Sequence, residues 1–272
     1  MISEKNMGKQ DVLRDAQDLI VIGKSGKDSY IYAVKPSLNV QRRFYEQSIS
    51  NPADAAVPAF QRYWKFDEKE GITGSSTFLA LRFDSGVLRP EGLWIPGLLE
   101  AKALESQGKL QNRVYRDCGI VVYSEGSPNK EIAEVLVPQA RGLGFTLPLI
   151  VPYRALEPHA EGGEIRPSFV EVPQGVIHGK KAEKEIGSLD YRENSGVHGL
   201  GRGTGGDWDA DWDNLGDSDD DGRVDWVCGE AHRKILEQVH SKLSERQYGE
   251  RIKELRGQQK AESAKFRKSL KR

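Results

Sequence analysis

The 272-residue sequence predicts an α/β body with a mixed sheet, then an irregular acidic arm and a long C-terminal helix. Three observations carry this reading. Residues 120–153 run strand, helix, strand, the pattern of a βαβ crossover with a parallel strand pair. Residues 180–227 crowd Gly, Asp and other charged residues together and offer little to bury. From Glu230 onward, Ile235, Val239 and Leu243 share one helical face, with Ile252 and Leu255 further on. The resulting division is a body over 10–178, an arm over 179–227 and an amphipathic helix with a basic end over 228–272.

The elements follow in order. Residues 19–22 and 30–34 are rich in β formers, and Ser25, Gly26, Lys27 and Asp28 supply turn chemistry, so 18–35 is a hairpin. Its SGKDS segment resembles the SGGxDS pyrophosphate loop of ATP pyrophosphatases. It lacks one glycine, and Pro36 follows where that family needs a helix, so the turn reading stands. Residues 37–50 and 52–69 are helical in pattern, interrupted by Pro52 and Pro58, with Phe60, Tyr63, Trp64 and Phe66 packing on the core. The apolar run at 77–83 predicts a strand. Residues 96–108, PGLLEAKALESQG, join strong helix formers to a starting Pro and a closing Gly. Residues 120–123 form a buried strand. Residues 128–143 form a helix on Ile132, Val135 and Leu136 that Pro138 kinks or splits. Residues 146–153 return as a strand, and 168–172 and 175–178 add short ones. GLGRGTGG at 199–206 does not join a strand to a helix in this pattern, so it reads as a flexible linker rather than a phosphate cradle.

Hydrophobic residues make up 37% of the chain, enough for a core, and charged residues 30%. A net charge of −1 gives no global field to draw nucleic acid or membrane. The charge is uneven, though. Residues 207–225 hold nine Asp against Arg223, a sum of −8, and residues 230–272 hold thirteen Lys or Arg against six Glu, a sum of +7. Two cysteines, Cys118 and Cys228, do not make a disulfide framework. The N-terminal residues are charged throughout and do not form a secretory signal, and no apolar run is long enough to span a bilayer. The expected location is the cytoplasm, or a virion assembled there.

The acidic stretch carries the sharpest motif. Asp217, Asp219 and Asp221 alternate, Gly222 permits a sharp turn, Arg223 can offer a carbonyl, and Asp225 stands at a ninth-position ligand site. These nine residues resemble the calcium loops of EF-hand and thrombospondin type 3 repeat proteins, which implies Ca2+ on Asp217, Asp219, Asp221 and Asp225. They depart from that pattern at the twelfth position, where Cys228 replaces a bidentate acid, and no helix leads in. The alternative is a solvated acidic loop. Scarce cytosolic calcium adds weight to magnesium or to no metal. Trp208, Trp212 and Trp226, set among these acids, suit either an interaction surface or anchorage of the arm on its own body.

A second constellation is Glu100-Ala101-Lys102. It resembles the acid and E-x-K arrangement of the PD-(D/E)xK nuclease superfamily, with Asp84 or Glu91 as the upstream acid. The resemblance implies Mg2+ on the acids and Lys102 beside the developing charge. That reading needs a strand, whereas helix propensity at 96–108 would turn Glu100 and Lys102 apart. The five histidines, His159, His178, His198, His232 and His240, form no zinc spacing. The expected function is therefore a non-enzymatic binding or assembly protein, such as a component of a large complex or virion. Protein partners would be met through the arm and the terminal helix, nucleic acid through the basic tail, and no membrane is expected. The alternative is the magnesium-dependent nuclease.

Overall fold

The computed structural model describes residues 7–50, 64–161, 164–190, 194–212, 215 and 219–269. Helix α1 (Met7–Arg14) leads into the predicted hairpin of β1 (Asp18–Lys24) and β2 (Ser29–Lys35). The hairpin turn closes where the Ser25 and Gly26 N–H groups donate to the Ser29 carbonyl. Ser37 then caps α2 (Leu38–Ile49), its hydroxyl accepting from the Val40 N–H. Strand β14 (Val227–His232) comes from far along the chain and lies between β2 and the two-residue β5 (Leu93–Trp94), giving the order β1-β2-β14-β5. Alternation sorts its side chains between two cores. Leu19, Tyr32, Val34 and Val227 enter one, and Ile20, Ala33 and Cys228 enter the other.

A five-stranded sheet packs behind it. Its strands are β6 (Arg116–Val122), β7 (Leu149–Val151), β10 (Ile177–His178), β11 (Val197–Arg202) and β12 (Trp208–Trp212), in the order β10-β7-β6-β11-β12. Every residue of β6 and β11 is buried. A small sheet of β3 (Lys65–Asp67), β4 (Gly71–Ser75) and β13 (Asp219–Arg223), and the hairpin of β8 (Leu156–Glu161) with β9 (Glu164–Phe169), complete the strands.

The mixed helix-and-sheet class and the long terminal helix hold. Several details differ from expectation. Helix α5 (Lys130–Gly142) connects β6 to β7 as read, and it runs through Pro138 rather than splitting. The flanking strands are neighbours but pair antiparallel, so the expected parallel pair is not formed. Strand–helix–strand periodicity carries no direction. Residues 77–83 form helix α3 (Thr77–Phe83), not a strand. Nearly every side chain in this run is buried, so no period shows. The Ser76 hydroxyl, accepting from the Leu79 N–H at 3.2 Å, supplies the N-cap that decides the state. Of the expected helix at 52–69, residues 51–63, with Phe60 and Tyr63, lie outside the described residues, and Lys65–Asp67 is strand β3. Trp64 is buried and packs on Phe83.

The stretch expected to be an irregular arm is mostly structured where described. It supplies helix α6 (Lys180–Ile186), the interior strand β11, the edge strand β12, and β13. Its glycines serve close packing. A Cβ on Gly201 would sit 2.4 Å from the Tyr115 hydroxyl, so the glycine-rich run is pressed against a buried ring rather than acting as a linker. Helix α4 (Leu98–Ser106) confirms the helical reading of 96–108.

Helix α7 (Arg233–Ser269) follows β14 directly. Its first N–H bonds to Asp28 O at the hairpin turn. Leu236 and Leu243 bury on the first core, and the Arg246 guanidinium donates to Ala16 O and Arg14 O at 3.0 and 3.3 Å. The helix therefore doubles back along the sheet for roughly 21 Å over 233–246 and continues for roughly 35 Å over 247–269. Among the described residues no helix is long and apolar enough to cross a membrane.

Candidate functional site

A polar cleft of about 540 Å³ opens between the β3–β4 turn, the end of β2, the loop before β6, and β13. Its charged lining includes Lys35, Lys69, Glu70, Arg113, Arg223 and Asp225. The floor rests on a buried ion pair. Arg116 on β6 donates through Nε and Nη2 to the two Asp225 oxygens at 3.2 and 3.1 Å, the fork geometry natural to guanidinium and carboxylate. Lys35 Nζ lies 3.8 Å from the same carboxylate.

Two arginines also fix the loop that forms one wall. Arg116 Nη1 donates to the carbonyls of Gln111 and Val114. Arg202 on β11 donates to Gln111 O and to the Asn112 side chain, and its Nε pairs with Glu105 at 2.8 Å. The Arg113 N–H bonds Thr204 O at 2.7 Å. Held this way, Arg113 takes φ 68°, a left-handed conformation that side chains other than glycine rarely adopt, and stands exposed. On the facing side, Asp67 Oδ1 accepts from the N–H groups of Lys69 and Glu70, which shapes the β3–β4 turn. Arg223 bridges to Glu70.

The charges around the cleft do not cancel. Lys35, Lys69, Arg113 and Arg223 are four cations on the lining; Glu70, Asp221 and Asp225 are three carboxylates, so the surplus is +1. Below the floor, the buried Asp117 accepts from the Ser75 and Tyr115 hydroxyls. Burial, followed by the Asp117 charge, raises the Tyr115 phenol well above its ordinary range, so it remains a neutral donor.

The calcium-loop residues divide. Asp217 lies outside the described residues, and Asp219 belongs to β13. Asp221 is exposed at the cleft, and Asp225 is occupied by Arg116 and Lys35. Asp219 and Arg223 pair with Ser75 and Thr73 on β4, and the register shifts between the two pairs, so the ladder is irregular across the motif. Among the described residues no group of three His, Cys, Asp or Glu is placed to hold a metal.

The nuclease residues do not assemble. Glu100 and Lys102 lie on helix α4, where they diverge: Glu100 meets Arg154 Nη1 at 2.6 Å, and Lys102 meets Glu185 at 3.0 Å. Glu91 pairs with Arg43 at 3.2 Å. Asp84 is fully buried, accepting from the Ile95 N–H at 2.6 Å with Arg89 Nε at 3.3 Å. Burial outweighs these partners and pushes its carboxyl up to about 7. Asp84 and Glu100 do act on one interior region, since both influence Cys228 together with Arg154. Each nevertheless has its own guanidinium.

No protein-family model, no curated protein and no solved structure matches this chain.

Sequence reasoning passed over Arg113, Arg116 and Arg202. The available signal was Asn112, a turn residue shortly before a strand, followed by two arginines, Arg113 and Arg116.

Proposed function

We propose that the protein is a non-enzymatic binding or assembly component, of the kind found in large complexes or virions, and that α7 is its contact element. The observation that carries this is the course of the helix beyond Arg246. Tyr248 is 71% exposed there, and Glu250, Lys253, Glu254 and Arg256 are exposed as well. Residues 247–272 carry nine Lys or Arg against three Glu, a sum of +6. A helix that is polar nearly all round gains little from its own chain, and burial against a partner is a ready source of stability. Basic residues near its C-terminal end suit the helix dipole and an acidic protein surface.

The test is a truncation after Arg246. A cut at 230 would remove half of β14 from the interior of its sheet, whereas a cut after Arg246 keeps Leu236, Leu243 and the Arg246 bonds. Light scattering should show the full chain assembled and residues 1–246 folded at lower mass. Equal masses would refute the assembly role.

A further inference from the structure

The cleft has a ligand chemistry that the assembly reading does not use. Two of its three acids are already answered, Asp225 by Arg116 and Lys35 and Glu70 by Arg223, and the third, Asp221, is exposed at its side. Two of its cations are not so answered. Among the described residues neither Arg113 nor Lys69 makes a side-chain hydrogen bond or a close ion pair, although Lys69 lies within electrostatic reach of Asp67, and both line the cleft. Arg113 is also presented at a conformational cost. The surrounding bonds from Arg116, Arg202 and Thr204 hold it at φ 68°, where glycine would sit without strain. The supports beneath it are buried, Arg116 at 6% and Arg202 at 3% exposed, so the wall is rigid before any ligand arrives. The cleft is of the size that takes a small molecule, but its lining is polar, which selects a charged ligand over an apolar one.

We propose that this cleft binds a small oxyanion-bearing molecule, its phosphate or carboxylate group held by Arg113 and Lys69 above the Lys35–Asp225–Arg116 floor. The Arg113 fork suits two oxygens of one anion, and Lys69 supplies a point charge beside it.

Titration calorimetry on the full chain at low ionic strength tests this, with inorganic phosphate and citrate as separate probes. Saturable binding of one probe and not the other identifies the anion class. Arg113→Gln should weaken that binding at least about tenfold, near 1.4 kcal/mol. Arg113→Lys should fall between the two. Arg113→Gly should lose binding while its melting temperature stays equal to or above that of the parent, because the left-handed strain is relieved. That combination separates a ligand contact from a structural one. Absence of saturable heat with both probes, or equal affinity in the parent and Arg113→Gln, overturns the proposal. Because none of these variants touches α7, failure here leaves the assembly reading intact.

Discussion

Replacing Asp225 by Asn tests the buried pair under the cleft. The side chains of Arg116 and Asp225 are only 8% and 11% exposed, and two hydrogen bonds of 3.1–3.2 Å join them. Removing one charge of such a pair strands the other in a low dielectric, which costs about 3–5 kcal/mol. Asn keeps the volume and one acceptor oxygen, which returns about 1 kcal/mol. The expected loss is about 3 kcal/mol, or roughly 6–12 °C in melting temperature at about 2–4 °C per kcal/mol. Lys35→Met is the control. Lys35 is one-third exposed at 3.8 Å, so its loss should stay under about 1 kcal/mol. The double variant Arg116→Met/Asp225→Leu should recover only part of the loss, since an apolar pair leaves no stranded charge but gives up the Arg116 bonds to the Gln111 and Val114 carbonyls. Urea unfolding followed by tryptophan fluorescence is a suitable assay, because Trp226 adjoins Asp225 in sequence and is itself buried. An Asp225→Asn variant within about 1 kcal/mol of the parent, or a Lys35→Met variant equally impaired, would refute the reasoning.

Other outcomes follow from the same physics. Asp84 has its carboxyl pushed up to about 7 by burial, from an ordinary 3.8, so the folded state holds a proton that the unfolded state releases. Stability should therefore fall as pH rises from about 4 to 7, by on the order of 4 kcal/mol from this group, and level off above. Denaturant midpoints at several pH values should show that slope in the parent and lose it in Asp84→Asn. Any calcium binding through Asp217, Asp219, Asp221 and Asp225 should be millimolar or weaker, because a cation must displace Arg116 and Lys35 from Asp225; saturable heat at micromolar calcium would contradict this. Gly201→Ala should cost about 1–3 kcal/mol in thermal unfolding, since the new methyl group meets the Tyr115 hydroxyl at 2.4 Å.

Much of the fold could be read where local chemistry and period agree. The 18–35 hairpin, α2, α4, α5 and α7 were legible as elements, from turn residues at 25–28 and spaced apolar positions, but the spacing sets the inner face of α7 on Ile235, which is 46% exposed, whereas Leu236 and Leu243 are the buried residues. What stayed hidden depends on distant partners. Residues 197–202 look like linker until Tyr115 is seen to need Gly201. Strand β14 is six residues whose place between β2 and β5 no local pattern announces. The site was legible only in part. The aspartate spacing drew attention to Asp221 and Asp225, which do line the cleft, but the side chain that claims Asp225 is 109 positions away. A motif read along the chain has no means of finding that guanidinium.

The path of α7 has a mechanical consequence. The helix begins at the hairpin turn and reaches the other end of the hairpin strands, where Arg246 grips Ala16 and Arg14 just before β1. A tug on the exposed tail therefore meets Arg246 first, then Leu243, then Leu236, and reaches β14 last. The helix peels like tape before the sheet is strained. Gln17, the residue after Ala16, lies on the cleft wall. The anchor at Ala16 thus stands one residue from the cleft wall.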